Sequence, residues 1–223
     1  MDLQRLDGPR LNSLSGQTKQ LVIILHGYGA DGADLLPLGR QWQQILPDAE
    51  FVAPNAPEFC QNPPMGYQWF PLNITMQGVV STPQERWEGA QNAAPALNAF
   101  IDAELARTAL PPSALALVGF SQGAMMALHV GLRRPSAPAA IVSYSGMLLG
   151  ADHLETLTAR PPVFLAHGSV DEIVPFQAME MTRQALAGLD MEVTSYVEEG
   201  VGHGIDGEAT WRAGEFLAKK LTG

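Results

Sequence analysis

The sequence predicts an α/β fold with a mostly parallel central sheet and helices on both faces. Short runs rich in Val, Ile, Leu and Ala recur, each followed by a turn signal and a longer amphipathic stretch, which is the order of elements in βαβ units. Most of these runs lack polar/apolar alternation, as strands covered on both faces do. The chain has 223 residues, 46% hydrophobic and 16% charged, enough to bury one continuous core.

In chain order the expected strands are Leu21–Leu25, Phe51–Ala53, Leu115–Val118, Ala140–Tyr144, Val163–Ala166 and Glu192–Val197. The expected helices are Ala33–Gln43, Gln84–Arg107, Gln122–Leu132, Phe176–Leu186 and Glu208–Lys220. In the second helix, Trp87, Ala90, Ala94, Leu97, Ile101 and Leu105 keep three-to-four spacing and mark one buried face, while Pro95 should kink or split it. Asn55 to Gln84 is a long connection without clear periodicity, too apolar for disorder. It reads as a cover packed over the core, as a wall or lid of an acyl-binding groove, or as both. The apolar window Ser113–Leu132 is long enough to span a membrane, but Ser121, Gln122, Gly123 and His129 interrupt it, so it reads as a buried strand followed by a buried helix. No repeat, low-complexity tract or linker divides the chain, and residues 1–223 are expected to form a single domain.

Thirteen basic residues against 23 acidic ones give a formal charge of −10, whose field repels phosphate backbones and anionic membranes. Nucleic acid is therefore not an expected partner, and stable membrane insertion is not expected. The lone cysteine, Cys60, excludes an intrachain disulfide and fits a reducing compartment. With no CxxC partner it reads as a loop or packing residue. Met1-Asp2-Leu3-Gln4-Arg5 lacks the basic start and apolar run of a secretory signal, so a cytoplasmic location is expected.

The chemistry begins where Leu115-Ala116-Leu117-Val118 runs into Gly119-Phe120-Ser121-Gln122-Gly123, followed by the helical Met125-Met126-Ala127-Leu128. Strand, sharp turn and helix around G-x-S-x-G form the context of a nucleophile elbow. The glycines let backbone and neighbouring strands approach a tight turn, and the helix N-terminus favours negative charge beside Ser121.

A serine hydroxyl needs a base within hydrogen-bond reach, and the base needs an acid to fix its tautomer, in the order Ser, Asp or Glu, His. Of the downstream histidines, His167 precedes any good acid and reads as structural, and His153 has no strand before it. His203 follows a strand in the glycine-rich turn Glu199-Gly200-Val201-Gly202-His203-Gly204 and is the expected base. Asp171, just past the strand Val163–Ala166, is the expected acid, with Glu172 its direct competitor.

An oxyanion hole would use the backbone N–H of Gln122 and one from the loop His26-Gly27-Tyr28-Gly29-Ala30-Asp31-Gly32, at Tyr28, leaving its phenol free to line the pocket. His26 reads as a loop-fixing residue and His129 as a packing or surface residue. No His/Cys/Asp/Glu cluster has metal-ligand spacing, so no metal and no cofactor is expected. The G-x-G-x-x-G match at Gly27–Gly32 lacks a well-placed acidic residue for a ribose, which argues against dinucleotide binding.

Taken together, His26–Gly32, Gln68-Trp69-Phe70, Gly119–Ala124, Gly168-Ser169-Val170-Asp171-Glu172-Ile173-Val174-Pro175 and Gly202-His203 resemble the phospholipase/carboxylesterase family of α/β-hydrolases, which includes the acyl-protein thioesterases. The resemblance runs from about Leu21 to Trp211. It implies an α/β-hydrolase fold without a large cap domain, activity on short- to medium-chain acyl esters or thioesters, and often a dimer. By position it implies a triad of Ser121, Asp171 and His203 and an oxyanion hole from the amides of Tyr28 and Gln122. Tyr28 stands where many members carry leucine, which bears on the pocket's shape.

The expected function is a serine carboxylesterase hydrolysing short- to medium-chain carboxylic esters through an acyl-enzyme intermediate, with Trp69, Phe70, Leu72 and Ile173 as candidate substrate contacts and Met65–Met76 as the segment expected to set selectivity. A lysophospholipase or acyl-protein thioesterase would use the same machinery on longer chains. A non-catalytic ligand-binding protein could occupy the same fold.

Overall fold

The computed structural model describes residues 5–60, 65–75 and 78–222. A two-residue edge strand β1 (Arg10–Leu11) is followed by β2 (Gln20–Leu25), helix α1 (Gly32–Trp42) and β3 (Ala49–Val52). Two small hairpins come next, β4 (Glu58–Phe59) with β5 (Tyr67–Gln68), and β6 (Ile74–Thr75) with β7 (Gly78–Val79). The chain continues through α2 (Pro83–Thr108), β8 (Leu115–Phe120), α3 (Gln122–Gly131), β9 (Ala140–Tyr144), β10 (Val163–Gly168), α4 (Gln177–Ala187), β11 (Val193–Glu198) and α5 (Gly207–Thr222).

The main sheet has seven strands in the order β1-β3-β2-β8-β9-β10-β11, all parallel except β1, which pairs antiparallel with β3. Two buried clusters explain why the central strands are apolar on both faces. One joins Ile23, Leu25, Leu117, Ile141 and Leu165 to α2, α3 and α4 through Leu97, Ile101, Met126, Leu128 and Met179. The other joins Val22, Ile24, Val118, Val142 and Ala166 to α1 and α5 through Leu36, Trp42, Ala213 and Leu217. The sheet is therefore sandwiched between helices, as the missing alternation implies. The apolar window 113–132 is β8 followed by α3, and among the described residues no helix is long and apolar enough to cross a membrane.

Three details differ from the sequence expectation. Helix α2 runs unbroken through Pro95, opened by a reciprocal capping box between Thr82 and Glu85. Its packed face, including Trp87, Leu97, Phe100, Ile101 and Leu105, supplies burial that outweighs the backbone bond lost at proline. The connection after β3 is not structureless, since it carries the two hairpins, whose two-residue strands are too short to show periodicity. Strands β10 and β11 extend to Gly168 and Glu198, because buried polar residues at the sheet's carboxyl edge keep the ladder where hydrophobicity stops.

Against the inner side of β1 and β3 lies a buried charge network. Glu50 of β3 and Glu104 of α2 are 4% and 6% exposed. Arg10 bonds both, at 3.2 Å each, and Arg107 bonds Glu104 at 2.6 Å and also Glu50. Two buried carboxylates side by side are tolerable only with both guanidiniums present. Arg107→Ala should lower stability by about 2 kcal/mol, measured by urea unfolding, with the midpoint and not the slope changing. An unchanged midpoint would mean that Arg10 alone satisfies both carboxylates.

Candidate active site

Parallel pairing brings the carboxyl ends of β2, β8, β10 and β11 to one edge. Leu25 is level with Gly119, and Gly168 with Glu198. The loops after these strands carry the sequence-predicted site residues.

Ser121 occupies the turn between β8 and α3 with φ 53° and ψ −118°, a strained conformation for a residue with a side chain. Its N–H donates to Tyr144 O at 2.9 Å. The flanking glycines are required by contact. A Cβ on Gly119 would lie 2.3 Å from Gly123 O, and one on Gly123 would lie 2.1 Å from Leu25 O and 2.5 Å from His26 O. The elbow thus presses against the end of β2 with no room for a methyl group.

His203 Nε2 is 2.9 Å from Ser121 Oγ, and His203 Nδ1 is 2.8 Å from Asp171 Oδ2. Asp171 Oδ1 accepts from the amides of Ile173 and Val174, at 2.9 Å each. Burial alone would raise the Asp171 pKa, but the bond from His203 and the two amides outweigh it and hold the carboxyl below its ordinary value. The competing Glu172 is exposed and turned away from this chain of bonds. The Asp171 and His203 loops are stitched together: Ser169 N–H donates to Glu198 O, Val170 N–H to Val201 O, and Gly200 N–H to Ser169 Oγ. A Cβ on Gly168 would lie 2.2 Å from Gly202 O, so this glycine is what allows the two loops to close.

His26 is buried at the end of β2 and fixes the opposite side. Its Nδ1 donates to Gly27 O at 2.7 Å, and its Nε2 accepts from Ala56 N–H at 3.0 Å. This assigns a neutral ring, and burial pushes its pKa down. The adjoining loop lies against the elbow, since a Cβ on Gly27 would stand 3.4 Å from Ser121 Cβ. Among the described residues neither the Tyr28 nor the Gln122 amide has an acceptor. The Tyr28 phenol does not stand free as expected. It lies beside the buried Cys60 thiol, and burial with that contact raises its pKa.

The four candidate substrate contacts separate. Trp69 and Phe70 are each 1% exposed, so an exposed-wall role for their side chains is corrected to a supporting one. Trp69 Nε1–H donates to His26 O at 3.0 Å, its N–H donates to Gln122 Oε1 at 2.9 Å, and Gln122 Nε2 donates to Phe70 O at 2.8 Å. Their apolar rings pack into the core beside the His26–Gly32 loop and α2. Leu72 is half-buried against the core, and Ile173 is 58% exposed beside Asp171. Of the expected selectivity segment, Met76 lies outside the described residues.

Two cavities flank this edge. One of about 460 Å³ is lined by Trp87, Met147, Leu148, Gly150, Ala178 and Met181, between the start of α2, the loop after β9, and α4. The other, about 430 Å³, is lined by Leu35, Leu38, Phe120, His203, Ile205 and Thr210. Neither wall includes Trp69 or Phe70.

The remaining histidines behave as packing groups. His129 is buried edge-on to Trp87, and burial with the nearby Arg133 lowers its pKa to about 4. His153 stacks on the same indole at 4.8 Å. His167 donates from Nε2 to Val174 O at 2.7 Å, and that nitrogen also lies 3.4 Å from Asp171 Oδ2. Sequence reasoning gave this residue a structural role but missed that it buttresses the acid. The signal was its spacing four residues before Asp171. It also missed the clamp made by the Gln122 side chain, and Glu198, which a local pattern does not mark.

Because both glycines of the elbow face main-chain atoms, a Cβ there cannot be absorbed by side-chain motion. Gly123→Ala should shift the elbow against the His26 loop and lower the turnover of any ester substrate about 100-fold, with circular dichroism unchanged. Wild-type turnover in a folded variant would show that this contact has slack.

The model of the phospholipase/carboxylesterase family matches residues 6–221. The chain is similar to a solved structure titled esterase PE8, with 42% identity, a TM-score of 0.92, and coverage of 97% of this chain and 100% of that one. It is 28% identical to acyl-protein thioesterase 1 of Gibberella zeae, over 96% of this chain and 95% of that protein. It is 27% identical to esterase YpfH of Escherichia coli, over 84% of this chain and 77% of that one. With a serine elbow, an Asp–His pair in register and nearly the whole chain matched, the protein belongs to the phospholipase/carboxylesterase family of α/β-hydrolases.

Proposed function

We propose that the chain is a serine carboxylesterase that hydrolyses short- to medium-chain acyl esters through an acyl-enzyme. The reading is carried by one observation, the continuous hydrogen-bond chain from Ser121 Oγ through His203 to Asp171, at 2.9 and 2.8 Å. In the first step Ser121 Oγ attacks the ester carbonyl while His203 Nε2 takes its proton, and the tetrahedral oxyanion is held by the amides of Tyr28 and Gln122. Each such donor supplies about 3 kcal/mol of transition-state stabilisation. His203 then returns the proton to the departing alcohol. Water, deprotonated by the same nitrogen, releases the acid and restores Ser121. Asp171 keeps Nδ1 protonated, so that Nε2 is the basic nitrogen, and stabilises the imidazolium formed in each step.

For the acyl chain, the apolar cavity of about 460 Å³ walled by Trp87, Met147, Leu148 and Met181 offers burial at the same sheet edge. Val170 and Ile173, 57% and 58% exposed on either side of Asp171, are large apolar side chains that a bound substrate would cover. Leu72 and Ile173 are the retained candidates for substrate contact. A thioester reading is favoured by the 28% identity to a protein named acyl-protein thioesterase 1, and the same residues would serve it, because a thiolate leaves without needing full protonation.

Hydrolysis of p-nitrophenyl esters from acetate to palmitate tests the reading. Ser121→Ala should lose about 10⁵-fold or more in kcat on every ester. A folded Ser121→Ala that hydrolyses esters normally would exclude the serine mechanism. Ala178→Phe, which narrows the apolar cavity, should lower kcat/KM for the longer esters about tenfold while leaving acetate unaffected. Equal loss at all lengths would place the acyl chain elsewhere.

A further inference from the structure

Glu198 is the last residue of β11, fully buried, and without a lysine or arginine partner among the described residues. Its carboxylate Oε2 accepts the N–H of Asp206 at 2.6 Å, while its Oε1 is buried with no partner. Its own carbonyl accepts the N–H of Val201, and also that of Ser169 at the start of the Asp171 loop. One residue thus holds both ends of the segment 199–206, the segment that carries His203, and the adjoining end of the acid loop.

We propose that Glu198 is a positioning residue for His203: its carboxyl clasps the far end of the His203 loop beneath α5, and its charge adds to the field that favours the imidazolium. The proposal rests on the serine mechanism above.

The groups facing this carboxyl make its burial costly. Asp206, whose own Oδ1 caps α5 through Ala209 N–H, and Asp171 repel it. The Tyr144 phenol from β9 and Tyr196 from its own strand lie close enough to feel its charge, and neither hydrogen-bonds to it. Burial, with Asp206 and Asp171 adding to it against the Asp206 N–H bond, raises its pKa to about 7. The sign follows from linkage. The folded carboxyl holds its proton up to about pH 7, whereas the unfolded one releases it near the ordinary glutamate value of 4.5. Stability is therefore lost as pH rises through that window. A neutral isostere would be the better choice for folding. A carboxyl retained there at such cost points to function, and the ionised form supplies two things: a charge-assisted bond to Asp206 N–H, and a second negative charge behind Asp171 that stabilises the imidazolium of each transition state.

The test is Glu198→Gln beside Glu198→Ala and Ser121→Ala, assayed on a short p-nitrophenyl ester from pH 5.5 to 8.5. Glu198→Gln keeps an acceptor for Asp206 N–H and removes the charge. At pH 8 its kcat should drop about fivefold with KM within twofold, while its melting temperature rises. Wild type should lose about fivefold more activity than a single ionisation explains on the acid side, and Glu198→Gln should follow a one-proton curve. Glu198→Ala, with the clasp gone, should lose about 50-fold in kcat, and Glu198→Gln should recover most of it. Identical pH profiles for wild type and Glu198→Gln, with equal kcat at pH 8, overturn the proposal, and they do so even where Glu198→Ala fails to fold. If Ser121→Ala is inactive in that experiment, only the role of Glu198 falls. If Ser121→Ala is active, the serine mechanism and this proposal fall together.

Discussion

The site depends on the contact between the elbow and the end of β2. Gly123 has no room for a side chain against Leu25 O and His26 O, and Gly119 has none against Gly123. This contact sets the distance between the Ser121 turn and the His26–Gly32 loop, which carries the Tyr28 amide. Everything around it works to keep both partners rigid. His26 is bonded through both ring nitrogens, and Trp69 bonds the His26 carbonyl. Gln122 clamps the Trp69–Phe70 backbone from the other side. The positive φ of Ser121 is held by main-chain bonds and packing on three strands, which is how a strained conformer persists.

That arrangement also explains which parts of the site were legible in the sequence. G-x-S-x-G after an apolar strand is a local pattern, and its glycines have one steric reason each, so Ser121 and its surroundings could be read directly. Asp171 and His203 were legible because topology restricts where they can stand, at the ends of the strands that follow in the same sheet. The wall residues were not. Trp69 and Phe70 are large, apolar and in a long connection, a description that fits a groove wall and a core filler equally well. Their main chain is held by the Gln122 amide, 52 or 53 residues away in sequence, and their rings pack in the core. No local window contains that bond.

The fold follows the same division. Apolar strands and the packed face of α2 were legible from period and composition, because burial on both sides leaves a signal in every residue. Polar ends of strands were missed because His167 and Glu198 belong to the sheet for the sake of the loops that leave it. Pro95 misled for the complementary reason. A rule about one backbone bond competes with the packing of a 26-residue helix, and the packing prevails.

Buried carboxylates separate structure from chemistry in this molecule. Glu50 and Glu104 sit between two arginines, and the pair is neutralised where it stands. Asp171 is buried with no arginine or lysine partner among the described residues, yet two amide hydrogen bonds to one oxygen and the His203 imidazole on the other hold its carboxyl below its ordinary pKa. Among the described residues Glu198 has one bond for its two carboxyl oxygens, and the charges of Asp206 and Asp171 repel it. The series runs from full compensation, through compensation by the His203 imidazole, to a carboxyl left largely uncompensated at the end of β11. A core selected for stability alone would remove the last of these first, since an unpaired buried oxygen is among the most expensive groups a protein can carry.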